Sequence, residues 1–270
     1  MQVTKNPGSS RVFPLRCWTL FCTALFLGNT ARMNKLLLSA LLMLVPAILQ
    51  AAETPAPAAR TIVLVRHGHY SPDPAADERL GPGLSPLGVA QAHLVGARLA
   101  GLPTRFDALY ASPMQRARDT AATIAADFPE RRFEIIDNLA ECTPPTRRTE
   151  VTKDEKPEEL AACKARLDRI FTERFRPAAG AERSELLVCH GNVIRYMVTR
   201  ALGVDTAAWL EMSVGHASIT RIRIEADGSF KVISIGDVGH LPPNLLSGAS
   251  GDGERSLAIP PLPTVDATGT

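Results

Sequence analysis

Two histidines of the chain directly follow runs of aliphatic residues, and an arginine or a glycine adjoins each of them. His67 follows "TIVLVR", which ends in Arg66, and His190 follows "ELLVC" and precedes Gly191. Aliphatic runs of this length predict buried β-strands. The carboxyl ends of parallel strands meet at one edge of a sheet, where α/β proteins bind ligands. We therefore expect both histidines at the same edge.

A guanidinium group and a carboxyl group are predicted to join these histidines. The segment "ALYASPMQRARDT" predicts a strand and then a helix capped by Ser112, so that Arg116 lies early in the helix. Glu141 follows a further predicted strand, "FEII". Arginines bind phosphate oxygens through paired hydrogen bonds, and a neutral imidazole nitrogen can accept a phosphoryl group. The set predicts phosphoryl transfer to a histidine, with Glu141 giving a proton to the leaving oxygen.

Strands and helices must alternate along the chain to place these groups. Aliphatic runs lie at 61–65, 108–111, 133–136 and 185–189, followed by helical patterns at 86–100, 113–126, 157–175 and 192–202. This alternation predicts an α/β domain, a three-layer α/β/α sandwich with a mostly parallel sheet. Two later runs, joined through Asp227-Gly228, predict a β-hairpin.

Five motifs occur in an order and at a spacing that together point to a family. They are "VRHG", "LSPLGVAQA", "ASPMQRARDTA", "NLAE" and "CHGNVIRY". The chain resembles the histidine phosphatase superfamily, in the branch that includes the cofactor-dependent phosphoglycerate mutases, and there it is most similar to the mitochondrial mutase-like serine/threonine protein phosphatases. The resemblance implies a phosphoglycerate mutase-like fold and a phosphatase that forms a phosphohistidine, without a metal or cofactor. The implied substrate is a phosphorylated small molecule or a phosphoprotein.

The resemblance also implies roles for individual residues. His67 is the expected nucleophile, Glu141 the proton donor and His190 a further catalytic residue. The expected phosphate pocket is formed by Arg66, Arg116, His190, Gly191 and Asn192.

Several assignments around this pocket have alternatives. Glu134 or Asp137 could take the place of Glu141, because the chain departs from the mutase pattern there. His69 and Tyr70 are assigned to the rim of the pocket. Ser112 is a weaker candidate for the pocket itself, since a helix cap alone explains it. The remaining histidines are assigned to surface or packing positions: His93, His216 and His240.

The first 52 residues have the layout of a targeting segment, with Met33 as a candidate translation start. A short basic stretch, an apolar run over 36–49 and small residues after it are typical of a secretory signal. The predicted domains are this segment, 1–52, a linker, 53–60, the phosphatase domain, 61–247, and a disordered tail, 248–270. We expect a periplasmic or secreted protein, or one tethered to the membrane if the signal is not cleaved.

Charge and cysteine content limit the partners and cross-links. Beyond residue 52 the chain has 25 basic and 28 acidic residues, so no nucleic-acid partner is expected. A homo-oligomer is compatible with the sequence. Of the three cysteines in this part, Cys142 and Cys163 are the expected pair if a disulfide forms, because Cys189 ends a buried strand.

Three other functions are compatible with the same residues. A non-catalytic module that recognises phosphorylated partners would keep the pocket. A phosphoglycerate mutase is disfavoured because "RHGHY" departs from the mutase motif and an exported protein would not meet its substrates. A zinc hydrolase would use His67, His190 and Glu141, but the neighbouring arginines would repel a cation, so no metal is expected.

Overall fold

A six-stranded sheet forms the centre of the computed structural model, which describes residues 55–248. The strands in chain order are β1 (Pro57–Ala58), β2 (Arg60–Arg66), β3 (Ala108–Ala111), β4 (Phe133–Ile135), β5 (Ala178–Ala179), β6 (Arg183–Cys189), β7 (Ile219–Ile224) and β8 (Phe230–Asp237). The sheet has the order β4-β3-β6-β2-β7-β8, and only β7 runs against the other five. β1 and β5 pair separately, so part of the segment expected to be a linker pairs with the domain.

Helices cover the sheet on both faces. They are α1 (Pro86–Ala100), α2 (Gln115–Ala125), α3 (Pro157–Arg174) and α4 (Gly191–Leu202), with short 3₁₀-helices at Asp137–Leu139, Thr149–Val151, Thr206–Glu211 and Pro243–Leu245. Ser85 caps α1 by accepting a hydrogen bond from the Gly88 N–H, and Pro86 occupies the first turn. α4 ends at Gly203, whose φ of 67° is the left-handed conformation that favours glycine.

Alternate residues of β2 pack into two separate cores, one on each face of the sheet. Ile62 and Leu64 pack with residues of α3 and α4, whereas Val63 and Val65 pack with residues of α1 and α2. This period of two explains why the strand is aliphatic throughout: both of its faces are buried. The three-layer α/β sandwich expected from the sequence is confirmed.

Two details differ from the sequence-based expectation. α2 begins at Gln115 with Met114 as its cap, two residues later than predicted, so Ser112 is not the helix cap. The predicted targeting segment and the tail beyond Gly248 lie outside the described residues. Between residues 55 and 248 no helix is long and apolar enough to cross a membrane.

Candidate active site

Three parallel strands end side by side and bring their next residues together. β2 and β6 pair with Arg66 opposite Cys189, and β3 flanks β6. The residues that follow β2, β3 and β6 are His67, Ser112 and His190. The centroids of the His67 and His190 rings are 5.0 Å apart. Both histidines predicted from the sequence therefore lie at one edge of the sheet.

Two hydrogen bonds fix the tautomer of His67. Its Nδ1 is 2.8 Å from the carbonyl oxygen of Gly68, which can only accept, so Nδ1 carries the proton. Its Nε2 is 3.1 Å from Nε of Arg116, which can only donate. Nε2 of His67 therefore carries a lone pair, on the side of the ring that faces the Arg116 guanidinium.

His190 has one occupied and one free ring nitrogen. Its Nε2 is 2.7 Å from Oγ of Ser112, and Oγ also accepts a hydrogen bond from the Met114 N–H over 3.3 Å. Nδ1 of His190 is buried and has no hydrogen-bond partner among residues 55–248. If the Ser112 hydroxyl donates to Nε2, Nδ1 carries the proton and can donate to an anionic oxygen.

Arg66 approaches the pocket from the end of β2. Its Nη1 donates to the carbonyl oxygens of Val214, at 2.6 Å, and Gly248, at 2.7 Å. Its Nη2 lies 3.0 Å from Nε2 of His216. Its Nε is buried and lacks a partner within the described part of the chain. The Arg66 guanidinium is thus held through Nη1 and Nη2, and its Nε–H is free to donate to a ligand.

Gly191 and Asn192 begin α4 beside this guanidinium. A Cβ on Gly191 would lie 3.4 Å from Nε of Arg66, so a glycine allows the close approach. The Asn192 side chain donates to the Cys142 carbonyl oxygen over 3.2 Å. The Asn192 side chain therefore holds the segment that carries Glu141.

Glu141 lies between the two arginines of the site and the start of α4. Its Oε1 is buried without a hydrogen-bond partner among the described residues. Burial raises the pKa of this carboxyl, although Arg66 and Arg116 partly oppose the rise. The two alternative acids, Glu134 and Asp137, are exposed. Of the three acids, Glu141 is the one that lies beside Arg66 and Arg116, and its burial shifts it toward the protonated form.

Burial and neighbouring cations keep both strand-end histidines neutral. The pKa of His67 lies well below its ordinary value, chiefly because of burial and then because of His190, Arg66 and Arg116. The pKa of His190 is also well below its ordinary value, from burial and from the two arginines. A neutral imidazole with a depressed pKa keeps its lone pair at neutral pH, as a nucleophile requires.

Tyr70 covers the pocket, which agrees with its assignment to the rim. Its ring centroid is 4.8 Å from Cζ of Arg116 and 5.5 Å from the centroid of the His67 ring. His67 is only 1% exposed. Tyr70 is therefore one of the side chains that cover His67.

Two contacts were missed by the sequence analysis. His216, assigned to a surface or packing position, is buried and contacts Arg66, and Ser112, assigned as a helix cap, contacts His190. No local pattern in the sequence marks His216, and its place follows from the direction of β7. Because β7 runs antiparallel to β2, with Ile219 beside Val65, the residues just before β7 lie at the edge where β2 ends.

The disulfide expected between Cys142 and Cys163 is present. Cys142 and Cys163 form a disulfide that links the segment after Glu141 to α3. Cys189 is a free, buried cysteine, as expected. The cross-link and the Asn192 side chain thus hold the same short segment.

This α/β sheet gathers neutral imidazoles and guanidinium groups at its strand ends, an arrangement that suits phosphoryl transfer. A family model described as "Histidine phosphatase superfamily (branch 1)" matches residues 62–237, and the chain belongs to that family. It is therefore a phosphatase, and the fold class and family expected from the sequence are confirmed.

Named relatives agree with this membership, and a solved structure shares the fold. The chain is 38% identical over 200 residues to the mitochondrial serine/threonine-protein phosphatase Pgam5 of Caenorhabditis elegans, covering 72% of this chain and 69% of the relative. It is 34% identical over 194 residues to the corresponding Xenopus tropicalis protein, covering 70% and 69%. A putative α-ribazole-5′-P phosphatase from Escherichia coli shares the fold, with a TM-score of 0.53 at 18% identity over 66% of this chain and 96% of that one.

The relatives correct one expectation from the sequence. Export to the periplasm or the exterior, or anchoring in the membrane through a secretory signal, is wrong, because these relatives are described as mitochondrial and none of the comparisons supports export. The short apolar run and the imperfect cleavage site resembled a secretory signal, but a basic and apolar amino-terminal segment is not specific to one compartment.

Proposed function

We propose that the protein hydrolyses phosphomonoesters by transferring the phosphoryl group to Nε2 of His67. The observation that supports this most directly is the pair of hydrogen bonds that place the proton on Nδ1 and the lone pair on Nε2. A nitrogen nucleophile needs this tautomer. Phosphorylation of Nε2 leaves the Nδ1 hydrogen bond to the Gly68 carbonyl intact, so the ring need not turn during the reaction.

In the proposed first step, the Nε2 lone pair of His67 forms a bond to phosphorus while the ester P–O bond breaks. Arg66 and Arg116 hold the nonbridging oxygens and balance their charge, and Nδ1–H of His190 donates to one of them. Positive charge that is already in place before the reaction stabilises a phosphoryl transition state. The two guanidinium groups also oppose protonation of His67.

Glu141 is the proposed proton donor to the leaving oxygen. Its raised pKa favours the protonated carboxyl, which is the form needed when the ester bond breaks. In the second step the Glu141 carboxylate takes a proton from water as the water oxygen attacks phosphorus. The N–P bond then breaks, its electron pair returns to Nε2 of His67, and inorganic phosphate is released.

The proposed substrates are phosphoserine and phosphothreonine residues of proteins. The relatives at 34–38% identity that support this are named serine/threonine-protein phosphatases. A serine or threonine alkoxide is a poor leaving group, so a protonated carboxyl beside the ester oxygen suits such a substrate. A panel of phosphopeptides and small phosphomonoesters, ranked by kcat/KM, tests this preference.

Rapid chemical quenching with a ³²P-labelled substrate tests the mechanism. We expect an acid-labile, base-stable label on His67, and we expect His67→Ala to lose both the label and turnover. The matched control is His93→Ala, because His93 is an exposed histidine on α1. A label on a serine or on His190, or turnover by His67→Ala, would contradict the proposal.

Two of the alternative functions, the mutase and the zinc hydrolase, can be tested with the same purified protein. A mutase would convert one phosphorylated acid into its isomer, whereas the proposed phosphatase releases inorganic phosphate in equal amount to the alcohol. A zinc hydrolase would lose activity in EDTA. We expect full activity in EDTA, because Arg66 and Arg116 place positive charge where a cation would have to bind.

A further inference from the structure

The hydrogen bonds of Arg66 are distributed unevenly over its guanidinium group. Both hydrogens of Nη1 are used, by the carbonyl oxygens of Val214 and Gly248. One hydrogen of Nη2 is used by Nε2 of His216. Nε–H and one Nη2–H remain. Nε–H and the Nη2–H beside it form the edge with which a guanidinium group binds two phosphate oxygens at once.

His216 has no free nitrogen with which to contact a substrate. Because the Nη2 group of Arg66 can only donate, Nε2 of His216 must accept. The proton of the neutral ring is then on Nδ1, which lies 3.0 Å from Oγ of Ser247. Burial and Arg66 lower the pKa of His216 to about 2, so the ring stays neutral and keeps its acceptor.

Ser247 fixes His216 to the last described turn of the chain. The backbone N–H of His216 donates to the Ser247 carbonyl oxygen over 2.9 Å. The Gln91 side chain, from α1, donates to Oγ of Ser247 over 2.9 Å and to the Leu245 carbonyl oxygen over 2.6 Å. The turn at 245–248 is therefore bound to α1 and to His216 at the same time.

Gly248 packs closely against the side chains of His216 and Arg66. A Cβ on Gly248 would lie 2.5 Å from Nδ1 of His216 and 3.0 Å from Nη1 of Arg66, and its φ of 66° already favours glycine. His216, the turn at 245–248 and the Val214 carbonyl thus surround one end of the Arg66 guanidinium.

We propose that His216 is a positioning residue for phosphate binding: together with Ser247 and Gly248 it clamps Arg66 so that Nε–H and the free Nη2–H face the phosphoryl group. The clamp acts through Arg66 and makes no contact with substrate. This inference rests on the proposed function, because it assumes that Arg66 binds the phosphoryl group.

Two substitutions at residue 216 separate the two contacts of the ring. The side-chain amide of His216→Gln reaches the position of Nε2 and can accept from Arg66, whereas that of His216→Asn reaches only the position of Nδ1 and Ser247. We measure the inhibition constant of inorganic phosphate, the KM and the kcat for each variant, with the exposed His93→Gln as control.

We expect His216→Asn to raise the inhibition constant of phosphate about 10- to 100-fold, as loss of a bidentate charge-assisted contact implies. His216→Gln should stay within about threefold of the wild type, and His93→Gln should not change. If His216 had a purely structural role, both variants would be less stable, but His216→Asn would not bind phosphate more weakly than His216→Gln. Equal phosphate affinity in the wild type and His216→Asn would overturn the proposal.

A double-mutant cycle provides the readout that does not depend on folding. In an Arg66→Ala background, His216→Asn should cause no further loss of phosphate affinity, because the clamp has nothing left to hold. Independent, additive losses would overturn the proposal. Gly248→Ala, which crowds the same site from the other side, should raise the phosphate inhibition constant in the same direction as His216→Asn, and no change would count against the clamp.

Phosphorylation of His67 in the wild type is measured alongside these experiments. If no phosphohistidine forms on His67, the proposed function itself fails. If phosphohistidine forms on His67 but His216→Asn and His216→Gln bind phosphate as tightly as the wild type, only the clamp fails.

Discussion

Nε of Arg116 donates a hydrogen bond over 3.1 Å to Nε2 of His67, the nitrogen that the proposed reaction phosphorylates. The bond holds the ring in the reactive tautomer while no phosphoryl group is bound. As the N–P bond forms, the lone pair is consumed, and the same N–H must turn to a phosphoryl oxygen. Arg116 is therefore expected to orient the nucleophile first and to stabilise the transferred group afterwards.

The role of Glu141 predicts a dependence on the leaving group. Glu141→Gln should slow phosphorylation of His67 by about 10²- to 10⁴-fold for a phosphoserine peptide, because general acid catalysis is worth that much for a poor leaving group. An activated aryl phosphate should be slowed far less. Single-turnover quench-flow measures both rates, and Glu134→Gln, at an exposed position on β4, is the matched control. Equal slowing for both substrates would contradict the assignment.

The buried histidines predict that stability falls in mild acid. The pKa values of His67, His190 and His216 are all depressed in the folded protein. Below the ordinary value of 6.5, the unfolded chain takes up protons that the folded chain does not, so the free energy of unfolding decreases as pH falls. Each group contributes up to about 1.4 kcal/mol per pH unit.

Urea unfolding between pH 7 and pH 5 measures this slope. We expect His216→Gln to reduce it, since one of the histidines with a depressed pKa is removed. His93→Gln, at an exposed position on α1, is the matched control. A slope that is the same in His216→Gln as in the wild type would contradict a depressed pKa for His216.

Close backbone packing behind the nucleophile predicts that Gly88 cannot be replaced. A Cβ on Gly88 would collide with the carbonyl oxygen of His69, and a Cβ on Gly68 would lie 2.5 Å from the carbonyl oxygen of Gly88. Gly88→Ala should therefore lower the free energy of unfolding by about 1–3 kcal/mol. Gly101→Ala is the control, since its Cβ would make only ordinary contacts, at 3.5 Å. A Gly88→Ala variant as stable as the wild type would show that the backbone relaxes.

The disulfide beside Glu141 predicts a loss of stability on reduction. Cys142 and Cys163 are 21 residues apart, and closing a loop of that size is worth about 3 kcal/mol through the entropy of the unfolded chain. A double Cys→Ala variant should lose this amount in urea unfolding. Dithiothreitol should destabilise the wild type to the same extent and leave the variant unchanged. If dithiothreitol also destabilised the double variant, its effect on the wild type would not come from the Cys142–Cys163 disulfide.

The sequence was sufficient to predict most of the site because strand ends are marked by local patterns. Arg66, His67 and His190 directly follow aliphatic runs, and parallel strands place their carboxyl ends together. Arg116 lies in the first turn of α2 even though the helix starts at Gln115 instead of Pro113. Its place was therefore predicted correctly from an inexact helix boundary.

His216 could not be found in the same way because no local pattern marks it. It lies in a loop, and its contacts with Arg66 and Ser247 span 150 and 31 residues of the chain. Only the antiparallel direction of β7 brings it to the sheet edge. The contact between Ser112 and His190 was missed for a similar reason, since a serine before proline is equally well explained by a helix cap.

The bond between Arg66 and the Gly248 carbonyl joins residues 182 positions apart in the chain. Contacts between such distant segments require closure of a long loop, and domains fold as they are synthesised from the amino terminus. During translation the nucleophile and β2 therefore emerge long before the turn that clamps Arg66. A chain that ends before Ser247 would carry His67 and Arg66 but would lack the Ser247 and Gly248 contacts of the proposed clamp.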